Sequence, residues 1–153
     1  MLLVLTLTKY WILTITEENW ETVKREGIYG APEGIRPPTE LIRPGDILIF
    51  YVKKKGSRKL GGKFVGAYEV TSEWYHESKP LWPDEVREGK VKYPLRVKLK
   101  LVKLGIADFT ELAPKLSFIG NKARPHAYLV GIPANLRRPI PVRDAELILN
   151  VMK

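Results

Sequence analysis

No cysteine occurs in the 153 residues. That excludes disulfides, thiolate metal sites and a thiol nucleophile, and makes a reducing cytoplasm the expected compartment. Histidine is scarce too: His76 and His126 are the only imidazoles, and neither falls in an i, i+4 pair or a zinc-ligand pattern. No apolar run has the length needed to cross a bilayer, so no membrane span is expected. Met1-Leu2-Leu3-Val4-Leu5-Thr6-Leu7 has no basic residue ahead of it and no small-residue cleavage site after it, and is expected to be mature protein, not a signal peptide. A phosphate loop is missing as well, because Lys55-Gly56-Ser57 lacks the upstream glycine and the following helix. Carboxylates are scattered, and the sequence pairs none of them into an acid and a base. These absences leave no catalytic residue to name, and no cofactor or metal is expected.

What the chain does have is positive charge. Lys and Arg total 26 against 17 Asp and Glu, a net charge of +9, which favours polyanionic partners, nucleic acid before acidic membrane surface. The cations are clustered. One acid-free stretch holds Lys53, Lys54, Lys55, Arg58, Lys59 and Lys63, and a second holds Lys115, Lys122, Arg124, Arg137, Arg138 and Arg143. A surface that tracks phosphates needs such grouping, since each cation laid on the backbone releases a condensed counterion. The bland alternative is the solvated face of a Lys-rich protein. The length predicts a single domain, 1–153, able to bury a sizeable core, with a monomer as the default state.

Pattern organises this domain around one hairpin. Ile47 to Val52 is apolar throughout, as expected of a strand covered on both sides in the middle of a small curled sheet. Phe64 to Val70 returns from the basic tip. Tyr10 to Ile15 reads as another buried strand, and Thr16 to Gly27 as a short helix capped by Thr16, with Glu17 and Glu18 at its positive end and Gly27 as left-handed exit. Ile28 to Pro38 reads as loop, and Thr71 to Asp84 as an irregular aromatic-rich segment in which Trp82 lies between Pro80 and Pro83. Val91 to Val102 shows alternation, with Leu95, Val97, Leu99 and Leu101 against Arg96, Lys98 and Lys100. Asp108 can cap a turn of helix, Leu116 to Ile119 and Ala127 to Val130 read as short strands, and Pro141 to Val151 as a closing helix.

The order of these segments carries a resemblance. Tyr10-Trp11-Ile12-Leu13, a helix, Gly27-Ile28-Tyr29-Gly30, Pro44-Gly45-Asp46 with Phe50-Tyr51, Phe64-Val65-Gly66, the Tyr75 region and Leu116-Ser117-Phe118-Ile119 before Lys122 together resemble the EVE domain, a member of the PUA-like superfamily with the YTH and ASCH domains. The resemblance implies an α+β fold, a strongly curved sheet or small barrel flanked by short helices. It also implies a non-catalytic role in binding nucleic acid, RNA or DNA, with a modified base taken into an aromatic pocket. Gly27-Ile28-Tyr29-Gly30 is similar to the YTH segment that supplies one cage wall, which nominates Tyr29 and Gly30. Lys79-Pro80-Leu81-Trp82-Pro83 is similar to the loop supplying the second wall, which nominates Trp82, and Asn19 resembles a base-contacting asparagine. The phosphate contacts would come from Lys53, Lys54, Lys55, Arg58, Lys59, Lys122, Arg124, Arg137 and Arg138.

Physical chemistry sets what such a pocket can do. Stacking on aromatic faces is worth about 1–3 kcal/mol per base, while extruding a base from a duplex costs a few kcal/mol. Cationic contacts must therefore supply the remaining affinity. A small-molecule or protein-binding module of the same fold, or a nucleic-acid-modifying enzyme, are the competing readings.

Overall fold

The computed structural model describes residues 8–33, 41–129 and 138–153. Its frame is a mixed sheet of six strands among the described residues: β1 (Tyr10–Ile15), β2 (Ile28–Ala31), β3 (Ile47–Val52), β4 (Lys63–Val70), β5 (Tyr75–His76) and β6 (Leu95–Asp108), in the order β1-β3-β4-β6-β2 with β5 paired to β6. β1 runs parallel to β3, pairing Tyr10 with Ile47 and Ile15 with Val52, and the remaining pairs are antiparallel. Register shifts at Phe50/Tyr51, Phe64/Gly66 and Ala67/Tyr68 curl the sheet, because each extra residue bends and twists its strand. The result is the curved α+β architecture that the resemblance implies.

β3 is buried along its whole length, and its pleat divides two cores. Leu48, Phe50 and Val52 join Trp11, Leu13, Trp20, Tyr29 and Tyr68 on one side, while Ile47, Ile49 and Tyr51 join Phe64, Phe109, Leu116 and Ile148 on the other. Helix α1 (Glu17–Glu26) covers the first side. The Thr16 hydroxyl accepts from the Asn19 N–H, and Gly27 closes the helix at φ 66°. Trp20 of α1 lies over Gly66, where an added Cβ would come within 2.7 Å of the indole. Helix α2 (Pro83–Glu88) lies beside α1, whereas α3 (Phe109–Leu112) and α4 (Val142–Val151) close the second side over Tyr51 and Phe64. Asp144 of α4 accepts from the Ser117 and Phe118 N–H groups and the Ser117 hydroxyl.

Three expectations are corrected. Ile28–Ala31 is a strand, not loop, because its backbone completes the ladder of β6 from Leu95 to Lys98. Leu116 to Ile119 forms a turn, and the described part of Ala127 to Val130 lies in a 3-10 helix (Pro125–Leu129). The apolar residues there fill the second core without joining the sheet. The alternating strand begins at Leu95 instead of Val91 and runs on to Asp108.

Candidate nucleic-acid interface

Where β1 ends and α1 begins, the chain leaves a cavity of about 220 Å³ whose wall includes Thr16, Asn19, Tyr29, Gly30, Lys53, Trp82 and Tyr93. All four nominated pocket residues line it. Asn19, on the first turn of α1, is 5% exposed, and its Oδ1 is buried without a hydrogen-bond partner. An unsatisfied buried acceptor is uncommon and costs free energy until something donates to it. The amide nitrogen is engaged, since Asn19 hydrogen-bonds the Asp84 carboxylate and the Tyr93 hydroxyl.

The Trp82 wall is built by charge. Glu85 is fully buried and accepts from the N–H groups of Leu81 (2.8 Å), Trp82 (3.2 Å), Lys92 (2.8 Å) and Tyr93 (2.9 Å). Burial pushes its carboxyl upward, but the four backbone donors outweigh that and hold it below the ordinary carboxylate value. Arg96 reaches the same carboxylate at 3.4 Å, donates to the carbonyls of Lys79 and Tyr93, and lies 4.9 Å from the Trp82 ring centroid, a cation-π arrangement. One carboxylate thus fastens two loops and the tryptophan between them. Asp84 is likewise raised by burial yet lowered on balance by bonds from Tyr93 and Asn19, the Lys92 charge and the Glu85 N–H.

Tyr29 and Trp82 border one cavity without stacking on each other. Tyr29 turns toward Phe50 (5.8 Å) and Trp74 (6.4 Å), and burial pushes its phenol up. Trp82 meets Tyr93 edge to face at 5.6 Å and 82°. Both are nearly inaccessible, at 6% and 2% exposed, so each also holds the fold together. Gly30 is a glycine because Trp82 and Tyr93 leave no room for a Cβ. Tyr93, Asp84, Glu85 and Arg96 are pocket residues that the sequence pattern does not nominate. The only signal for them is a buried Arg96 on the otherwise solvent-facing side of an alternating strand.

The cations divide into free and engaged groups. Lys53 stands at the cavity mouth, and Lys54, Lys55, Arg58 and Lys59 are exposed on the tip. The tip is not without acid in three dimensions, because Glu17 accepts from the N–H groups of Arg58 (3.2 Å), Lys59 (2.9 Å) and Leu60 (2.6 Å). Those bonds, Leu60 first, hold its carboxyl below the usual range. Lys122 donates to the Ala113 and Leu116 carbonyls, which leaves it one proton for a phosphate. Arg124 and Arg138 are exposed, the latter beside a second cavity of about 560 Å³ lined by Phe118 and Tyr128. Arg137 lies outside the described residues. Both basic stretches are anchored at the same end of the sheet, through the Phe109 N–H on the Gly62 carbonyl and the Thr14 hydroxyl on the Leu129 carbonyl. Among the described residues no group of three or more His, Asp or Glu could hold a metal ion, and no helix is long and apolar enough to cross a membrane.

The model of the EVE domain family matches residues 9–151. The chain belongs to the EVE domain family. This EVE domain is 38% identical over 144 residues to a UPF0310 protein of Saccharolobus solfataricus, a match covering 94% of this chain and 95% of that protein. It is 37% identical over 142 residues to a UPF0310 protein of Pyrococcus horikoshii, covering 91% and 95%. Its fold is similar to the YTH domain of the Zygosaccharomyces rouxii MRB1 protein, solved in complex with N6-methyladenosine RNA, with a TM-score of 0.58 at 18% identity, covering 100% of this chain and 92% of that one. It is similar also to Rpa0253 of Rhodopseudomonas palustris, with a TM-score of 0.56 at 15% identity, covering 95% and 93%. The likeness places the EVE domain in the YTH-like, PUA-like fold.

Proposed function

We propose that this EVE domain is a non-catalytic nucleic-acid-binding module that takes one unpaired or extruded base, a modified one included, into the cavity beside Asn19 and lays its basic tip along the flanking phosphates. The observation that carries the reading is the unpartnered Asn19 Oδ1 at a cavity with a lysine at its mouth. At about 220 Å³ the cavity is smaller than the roughly 300–1,000 Å³ of pockets that enclose drug-sized ligands, and suits a single ring system. Lys53 is positioned to meet the phosphate of whatever nucleotide enters. YTH domains solved with N6-methyladenosine RNA share the fold, which supports nucleic acid as the partner class.

The test is equilibrium binding of labelled single-stranded oligonucleotides, with and without base modifications, to the intact protein and to Asn19→Ala. The reading expects measurable affinity that falls with salt and weakens in Asn19→Ala while the salt slope holds. Absence of binding to every RNA and DNA strand at low salt would remove it.

A further inference from the structure

We propose that the cavity selects by hydrogen-bond polarity, accepting a ring N–H at Asn19 Oδ1 and so preferring keto bases (guanine, uracil, thymine and their modified forms) over adenine and cytosine. The inference rests on the reading of this cavity as a base site. Its basis is that the donors in this corner are committed within the protein. Tyr93 donates its hydroxyl proton to Asp84 at 2.5 Å. The Asn19 amide bonds the same carboxylate and the Tyr93 oxygen. A carboxylate accepts and cannot donate when ionised, so only the NH₂ end of the amide can face it. That fixes the amide against turning over, and leaves Oδ1 as the unmatched atom, buried and without a partner. Asp84 is itself held in place by the Glu85 N–H at 2.9 Å and by Lys92 at 3.5 Å. The corner thus offers an acceptor and withholds donors.

An extruded base is read along its Watson–Crick edge. The ring atom at the centre of that edge is an N–H donor in guanine, uracil and thymine, and a bare acceptor in adenine and cytosine. A donor satisfies Asn19 Oδ1, whereas an acceptor placed against it leaves two buried lone pairs facing each other, the situation that sites built on hydrogen bonds reject most strongly.

The experiment uses single-stranded DNA of fixed length in which one base stands at the centre of an otherwise abasic strand, so that the phosphates are constant. Affinities are measured for strands carrying uracil, thymine, guanine, adenine, cytosine or N3-methyluracil, and for the wholly abasic strand. The three keto bases should bind roughly five-fold to a hundred-fold tighter than adenine and cytosine, and N3-methylation should abolish the advantage of uracil. Asn19→Ala should level the series, and Asp84→Asn, which frees the amide to turn, should relax it. Equal or tighter binding of adenine or cytosine by the intact protein, or indifference to N3-methylation, overturns the polarity inference and leaves the base site standing. Equal binding of the abasic strand and every base-bearing strand overturns the base site itself, and this inference with it. Because the base series is measured on the intact protein, neither outcome depends on a variant folding.

Discussion

Gly30 and Trp82 touch so closely that a Cβ added at position 30 would sit 2.4 Å from the indole Cη2 and 2.9 Å from Tyr93 Cβ. The cavity wall is therefore specified by a glycine on one strand and an aromatic on a distant loop, with Arg96 against the ring. Gly30→Ala must displace Trp82, and overpacking of this kind costs about 1–3 kcal/mol. Chemical denaturation should reveal a loss in that range. A variant as stable as the parent would mean the indole moves freely and the wall is not fixed.

Glu85 should govern acid stability. Its folded pKa lies below the ordinary 4.5, so its contribution is fully present above that value and is lost as pH falls through the lower folded value. Asp84 acts in the same direction. Melting temperature should thus decline below about pH 4.5, and Glu85→Gln should be less stable than the parent at neutral pH and lose less on acidification. Glu85→Ala, which strands Arg96 and four N–H groups, should cost about 3–5 kcal/mol.

The hairpin, α1 with both caps, the buried β1 and the closing helix are legible in the sequence because each rests on local chemistry: an unbroken apolar run, Thr16, Gly27, a proline before a helical repeat. Strand β2 is not, since Ile28–Ala31 has a glycine in four residues and exists as a strand only through its pairing with β6. Leu116 to Ile119 misleads for the opposite reason. Its apolar residues are real core, but the Asp144 carboxylate folds them into a turn. Tyr29, Gly30, Asn19 and Trp82 are nominated by resemblance, and their meeting at one cavity is a fact of the fold. Tyr93 and Glu85 carry no mark in the sequence, because the network that gives them a role joins residues from α1, α2 and the loop before β6.

Tyr29 and Trp82 are both too buried to be ligand contacts alone. Tyr29→Ala and Trp82→Ala should lower folding stability, by about 3–5 kcal/mol for the tryptophan, as well as weaken base binding by about 1–3 kcal/mol where stacking is realised. Melting and affinity measured together separate the two effects. Trp82→Ala with parental stability would contradict its place in the wall.

Phosphate contacts should divide by engagement. About five of them on a single strand give a log-log salt slope of roughly −3.5. Lys53→Ala should flatten it by about 0.7. Lys122→Ala should change the slope less and stability more, since Nζ already holds the Ala113 and Leu116 carbonyls. A zero slope in the intact protein would leave the basic stretches as solvated surface.

The most direct measurement of the central claim follows the Asn19 side-chain amide and the Trp82 indole N–H by NMR as the protein is titrated with two strands of equal length, one carrying a single central base and one wholly abasic. Entry of a base into the cavity predicts that both signals shift with the base-bearing strand and stay in place with the abasic strand, while the N–H signals of the hairpin tip respond to both. Identical responses of Asn19 and Trp82 to the two strands would contradict it.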